Sequence, residues 1–315
     1  MAARASNSLV TVFGGGGFLG RYVVQALLKT GARVRIAERD PSNAFSLRPL
    51  AALGQLQFVS ADIRSERQVA AAIEGSEVVV NLVGILAGAF QAIHVDGAAA
   101  ITRAAAAEGA GALVHMSAIG ADPAAESDYG RSKGEGEAAV RAAFPGATIL
   151  RPSVVFGRED MFVNKFAQMM RFLPVVPVLK PRTRLQPVWA GDVGQATAEA
   201  VLDPRAHGGR TYELGGPQVF TMRELNEWIG EATGRRRTLV DVPDAAGAAL
   251  ARMGFLPGAP ITWDQWLMLG RDSVVADGAA GIEAFGIRPS PLAAIAEQWL
   301  TIYRRRGRFA TQSPY

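Results

Sequence analysis

Residues 12–21 read VFGGGGFLGR, four consecutive glycines and a fifth three residues further on. Such a run packs no side chains and loses a large entropy on ordering, so what it offers is bare backbone. Gly14, Gly17 and Gly20 are spaced GxxGxxG between an apolar run, LVTVF (9–13), and a helical pattern from about Leu19 to Thr30 that Gly31 closes. At a strand-to-helix junction this spacing gives a tight turn, close backbone approach to a pyrophosphate, and close packing of helix on strand. The loop N–H groups and the positive end of the helix dipole then face the phosphates, with Phe18 and Leu19 opening the helix beside them. Gly15 and Gly16 read as spare positions.

Downstream, short apolar runs alternate with helical stretches. ARVRIAE (32–38), LQFVSA (56–61), VVVNLV (78–83), ALVHMS (112–117) and ATILRPSVV (147–155) are near-continuously apolar, as strands buried on both faces are. Helical patterns lie between them, at Glu66–Ile73 and Ala98–Glu108 among others. Repeated β-α units predict an α/β fold, a Rossmann-type doubly wound parallel sheet. After Gly157 the rhythm breaks into Pro-punctuated sequence. The expectation is a dinucleotide-binding domain over 1–157, with 186–204 returning to it, and a smaller, mostly helical lobe over 158–315. Within these, Asp192 reads as the N-cap of a helix over 189–202, and Thr221 with Glu224 as a capping box for a helix ending near Gly234.

The ends of the predicted strands carry the candidate cofactor residues. An acid ending the second strand bonds an adenosine ribose 2′-OH and favours NAD, whereas an Arg there accommodates a 2′-phosphate and favours NADP. Here Glu38 and Arg39 stand side by side, and Arg21 follows the last glycine of the loop, so the signals conflict. Asp62, followed by Ile63, is placed at the adenine, and Asn81, Val83 and Gly84 lie beneath the middle of the cofactor. Further on, Tyr129 and Lys133 form YxxxK, which puts both on one helix face. A Lys there holds ribose hydroxyls and favours tyrosinate, the form a proton-transferring phenol with an ordinary pKa of about 10 must reach.

Several classes are set aside. No Cys is present, and His94, His115 and His207 show no metal-ligand spacing, so no metal is expected. No nucleic-acid motif accompanies the mild net charge of +4. The N-terminus lacks a signal-peptide core, and no window reaches the ~20 apolar residues of a membrane span. Two basic clusters, Arg235–Arg237 and Arg304–Arg308, read as solvated surface or as contacts for anionic lipid or an acidic partner. FLPVVPVLK (172–180) reads as core or as an apolar lip. The aromatic-rich stretch 249–270, followed by YRRRGRF (303–309), admits an interfacial reading. The setting expected is cytoplasmic, peripheral on the inner face of a membrane.

GGGGFLG (14–20), ADIR (61–64), NLVG (81–84), YGRSK (129–133), RPSVVFG (151–157) and QPVWAGDV (186–193) together resemble the extended short-chain dehydrogenase/reductase superfamily. FGGGGFLGRYVV (13–24), LRPLAALGQLQF (47–58), AAFPGATILRPSVVFGREDMFVNKFA (142–167) and GIEAFGIRPSPL (281–292) resemble one branch of it: the nucleotide-binding accessory subunit of mitochondrial-type respiratory complex I and its bacterial relatives. FGREDMFVN is the most specific phrase. The resemblance implies tightly held NADPH, NAD(H) being the alternative, cofactor contacts from Pro152 and Val154, complex I and the membrane surface as partners, and no known turnover. It also implies a hydroxyl after the fifth strand to polarise a carbonyl. In HMSAIG that position falls on Ala118, with Ser117 one residue before it. His94 stands where the superfamily often has Asn and reads as a buried, satisfied His. Three functions remain: a complex I accessory or assembly component; an active reductase or epimerase on a quinone-like, isoprenoid or sugar substrate, with Tyr129, Lys133 and Ser117 catalytic; and a redox-sensing binding module.

Overall fold

The computed structural model describes residues 8–256, 259–305 and 307. Arg306 and Arg308 of the second basic cluster, and Phe309 after it, lie outside the described residues. The first half runs β1 (Leu9–Phe13), α1 (Phe18–Lys29), β2 (Arg33–Glu38), β3 (Leu56–Ser60), α2 (Glu66–Ile73), β4 (Val78–Asn81), α3 (Ala98–Glu108), β5 (Ala112–Met116), α4 (Asp128–Ala143) and β6 (Thr148–Pro152). The rest runs β7 (Val155–Phe156), α5 (Val163–Phe172), β8 (Val175–Val178), β9 (Arg184–Leu185), β10 (Val188–Trp189), α6 (Ala190–Leu202), α7 (Pro204–His207), β11 (Thr211–Leu214), β12 (Phe220–Thr221), α8 (Met222–Ala232), β13 (Thr238–Asp241), α9 (Asp244–Arg252), α10 (Trp263–Leu269) and α11 (Leu292–Leu300).

Two compact units result. The first comprises 1–152, 190–214 and 276–288 and holds a seven-stranded sheet in the order β11-β6-β5-β4-β1-β2-β3. Every pairing in that sheet is parallel. The chain leaves β1 toward β2 and β3 and returns to β4 on the other side, a switch point where open α/β sheets bind ligands. Register levels the strand ends there: Phe13 pairs with Ala37 and Asn81, and Asn81 with His115. The glycine loop, Glu38, Asn81 and Ser117 therefore emerge along one edge. β4 and β5 are buried throughout, and Ile73, Ile101, Leu113 and Val140 form the core beside them.

The expected strand over 147–155 breaks at Pro152. Lacking an N–H, proline cannot carry the ladder on, and Val155–Phe156 pairs with β10 instead. Asp192 is not an N-cap: α6 begins two residues earlier, leaving this buried acid in the first turn, where the helix dipole favours it. The capping box at Thr221 and Glu224 forms as expected.

The second unit comprises 153–189, 215–275 and 289–315. Three two-stranded ribbons and α5, α8 and α11 enclose Phe156, Val163, Met170, Leu225 and Trp299. The specific phrase FGREDMFVN builds the start of α5. Asp160 is buried, and its carboxylate accepts N–H bonds from Gly157, Phe162, Val163 and Asn164 at 2.6–3.3 Å. Asn164 in turn accepts from the Tyr303 hydroxyl at 3.1 Å. Asp160→Ala orphans these donors and is expected to destabilise the protein by ~2 kcal/mol. Thermal unfolding checks it: an unchanged Tm would show that Asp160 does not hold α5.

Candidate functional site

Each glycine of the loop has a distinct steric reason. Gly14 sits at φ +83°, a left-handed conformation that L side chains rarely adopt. The Gly17 N–H donates to the Gly14 carbonyl at 3.2 Å, closing the turn. A Cβ on Gly20 would lie 2.1 Å from the Gly14 carbonyl oxygen, so α1 approaches the strand only because that position is bare. Gly15 and Gly16 are not spare. A Cβ on Gly15 would stand 3.1 Å from Ile36 and 3.2 Å from Val24, and one on Gly16 2.9 Å from Glu38 Oε1. The Gly16 peptide is gripped from both sides: its N–H donates to Glu38 Oε1, and its carbonyl accepts from Arg21 Nε at 3.0 Å. α1 starts without a capping side chain or an acid in its first turn; the carboxylate beside its start is that of Glu38, held on the Gly16 N–H.

Sequence spacing aimed Glu38 at a ribose, but one oxygen of its carboxylate is taken by the loop amide. Arg39 is exposed beside it. Asp62 holds Arg64 rather than standing open: Arg64 donates from Nε at 3.0 Å and 3.1 Å and from its terminal nitrogen at 2.5 Å. These bonds pull the Asp62 carboxyl down to about 2. Ile63 is a core residue, and a Cβ on Gly97 would fall 2.5 Å from its Cδ1.

Asn81 Oδ1 accepts from the Val83 N–H at 3.1 Å, so its amide nitrogen faces His115 Nδ1 at 3.2 Å as a donor. His115 therefore carries its proton on Nε2, which is buried without a partner. Burial holds this ring well below the ordinary imidazole range. His94 is the buried, satisfied histidine expected. It lies in a π-helical turn, Gln91–Gly97, which α4 approaches so closely that a Cβ on Gly136 would lie 2.2 Å from the His94 carbonyl oxygen. His94 Nε2 accepts from the Ile85 N–H at 3.0 Å, so Nδ1 bears the hydrogen and donates to Ser132 Oγ at 2.9 Å. Ser132 donates onward to the Tyr129 carbonyl at 2.9 Å. Burial, then the Lys133 charge, pushes the His94 ring down to about 3, so it stays neutral. Its ring meets the Tyr129 ring edge-on at 5.6 Å and stacks on Phe90 at 5.3 Å.

Tyr129 and Lys133 lie one turn apart on α4. Lys133 is buried and donates from Nζ to the Met116 carbonyl at 2.7 Å, at the end of β5. Burial pushes its ammonium down to about 8, against the opposing pull of Glu137. Burial drives the Tyr129 phenol up to about 12. Beside Met116, the Ser117 hydroxyl is buried and unpartnered, while Ala118 offers no donor. The Pro152 carbonyl accepts from the Ile119 N–H at 3.0 Å, whereas Val154 belongs to the second unit and packs on its core. Gly84 is exposed on the loop after β4. Sequence reading missed His115 and Ser132 as parts of this cluster, and the Met116 carbonyl as the seat of the lysine. The signal for His115 was its register opposite Asn81.

The sheet order, the bare strand-to-helix turn and the Tyr–Lys pair define a dinucleotide-binding protein of the short-chain dehydrogenase/reductase type. The chain belongs to the NmrA-like family, which it matches over residues 6–255. It is 36% identical over 295 residues to the mitochondrial NADH dehydrogenase [ubiquinone] 1 alpha subcomplex subunit 9 of Rattus norvegicus, covering 91% of this chain and 78% of that one. It is 30% identical over 269 residues to the ceramide reductase of Caulobacter vibrioides, with 82% of each chain covered. Among solved structures, the NADPH-dependent quinone oxidoreductase QOR2 of Escherichia coli, complexed with NADPH, superposes with a TM-score of 0.75 at 21% identity, over 92% of this chain and 99% of that one.

Proposed function

We propose that the protein holds NADP(H) as an accessory or assembly component of a respiratory NADH:ubiquinone oxidoreductase, with little or no turnover. The observation that carries this is the likeness to the rat complex I subunit, which runs through both units rather than the cradle alone. The residues fit a dinucleotide on steric grounds: Cβ atoms at Gly14 and Gly20 would strike the chain's own atoms, so the tight turn needs both bare, and a Cβ at Gly17 would meet only the Gly14 carbonyl oxygen at 3.3 Å, which leaves the backbone there open to a pyrophosphate. Gly14, Gly17, Phe18, Leu19 and Gly20 would take the phosphates, Asn81, Val83 and Gly84 the middle, and Lys133 the ribose hydroxyls. Two features favour the phosphorylated cofactor: one Glu38 oxygen is committed to the Gly16 amide, and the Arg39 guanidinium is open beside it. A nicotinamide cofactor supplies hydride chemistry when bound. Burial drives the Tyr129 phenol up to about 12, so at neutral pH it is placed to donate a proton, as a reductase needs, and not to take one; the accessory reading rests on the chain-long likeness.

A second reading, an active reductase, is favoured by the Ser117 hydroxyl. It is buried, unpartnered and beside the seat of Lys133, as a carbonyl-polarising donor needs. One preparation separates the two. The nucleotide released on denaturing the purified protein is expected to be NADPH in near-stoichiometric amount, and complex I subunits are expected to co-purify from detergent-solubilised membranes. Absence of those subunits overturns the accessory role. Sustained NADPH oxidation that Tyr129→Phe abolishes establishes the reductase.

A further inference from the structure

The loop that follows β4 stands on a single side chain. It passes through Gly84, turns at Gly88 with φ +103°, and enters the π-helical turn at Gln91. Leu86, Ala87, Gly88 and Ala89 form its exposed tip. Both feet of that tip rest on the His94 imidazole. On one side the Ile85 N–H donates to Nε2 at 3.0 Å; on the other the Phe90 ring stacks on the imidazole at 5.3 Å. From its other nitrogen the same ring donates to Ser132 Oγ on α4. His94 thus ties the loop to the helix that carries Tyr129. The Tyr129 ring is met edge-on by both partners, Phe90 at 6.1 Å and His94 at 5.6 Å. A single π-helical turn inside a helix is a frequent mark of a functional position, and here it carries His94 at its centre.

Residues 82–93 carry no charge. The tip therefore offers nothing to a phosphate, and it acts on a bound molecule by covering it. We infer that His94 is a positioning residue that latches loop 84–90 as a flap over the Tyr129 end of the site, and so sets how fast a nucleotide enters and leaves. This rests on the reading that the site holds a dinucleotide and adds what governs its exchange. Opening the flap breaks one N–H···N bond and one ring stack. It leaves the turn at Gly14–Gly20 as it is, since the Gly16 peptide is held by Glu38 and Arg21. A gate of this kind changes entry and release together and affinity little, whereas loss of a binding contact speeds release alone.

The test follows NADPH fluorescence on the whole protein, association by rapid mixing and release by chase with excess NADP⁺. His94→Ala is expected to raise both rate constants about tenfold, with Kd within about threefold of the wild type. His94→Gln, whose amide can accept from Ile85 and donate to Ser132, should bring both rates back to within about threefold of the wild type. Phe90→Ala removes one foot only and should fall between; at a half-buried position it keeps the test open if the cavity left by His94→Ala prevents folding. Hydrogen exchange of residues 84–90, read by mass spectrometry, reports the flap without any nucleotide. It should quicken about tenfold in His94→Ala, while exchange at Gly14–Gly20 stays as in the wild type. Unchanged exchange at 84–90 overturns the inference, whatever the nucleotide does. So does faster release with unchanged association, which would make His94 a binding contact, or a His94→Gln variant as fast as His94→Ala, which would reduce the ring to packing. If exchange responds as expected but the wild type takes up no NADPH, the latch stands and the nucleotide reading is the one that fails.

Discussion

Gly20→Ala is expected to yield a protein free of nucleotide. The new Cβ would lie 2.1 Å from the Gly14 carbonyl oxygen and 2.7 Å from Gly15 Cα, both backbone atoms that no rotamer change can move. Either α1 tilts away from the strand or the turn opens, and both displace the N–H groups that face the phosphates. Overpacking of this kind costs ~3 kcal/mol, which as lost affinity is roughly a hundredfold. Dinucleotide fluorescence titration of the variant checks this, with Gly54→Ala as control. Gly54 has a positive φ, which Gly20 does not, and a Cβ there meets nothing within 4 Å, so the control tests backbone strain without a clash. If Gly20→Ala binds as the wild type does, the loop is not the phosphate cradle.

Glu137→Gln is expected to unfold the protein at a markedly lower temperature. Glu137 is buried on α4, one turn beyond Lys133. It accepts two bonds from Arg151, both at 2.8 Å, and lies 3.4 Å from Arg141. Removing one partner of a buried pair leaves the other charge poorly solvated. Arg151 is partly exposed and keeps Glu213 at 3.6 Å, so the cost falls near ~3 kcal/mol, or roughly 6–12 °C in Tm. Replacing both partners by apolar residues, Glu137→Leu with Arg151→Met, is expected to recover most of the loss. The single change also reaches the site, because Glu137 is what opposes the downward shift of Lys133. Without it, the Lys133 ammonium loses its proton at lower pH, and nucleotide retention should fall off correspondingly earlier as pH rises. A Tm equal to the wild type's would remove Glu137 from the framework of α4.

The parts legible in the sequence were those set by local pattern. The glycine spacing, the apolar strands, the capping box at Thr221 and the Tyr129–Lys133 spacing each depend on neighbours within a few residues. The illegible parts depend on partners distant along the chain. Lys133 finds the Met116 carbonyl 17 residues away, and His94 reaches Ser132 across 38. The Asp62–Arg64 pair was illegible for another reason: Arg64 is only two residues on, but the backbone path decides whether that arginine folds back on Asp62. Gly15 and Gly16 were misjudged because what they touch, Ile36 and Glu38, lies on the next strand. FGREDMFVN carries the chain's specific likeness, yet its Asp160 works as a helix cap.

The doubly gripped Gly16 peptide has a kinetic meaning. A glycine-rich loop free in solution would have to be ordered by its ligand, and that entropy would subtract from affinity. Here Glu38 and Arg21 hold the loop in shape as part of the folded chain, so the ordering is completed at folding. What remains for the nucleotide is contact alone, and release must break that contact with no gain from a loosening loop. Under the proposed function this rigidity favours long residence of the nucleotide, in a stretch whose composition taken alone would suggest the opposite.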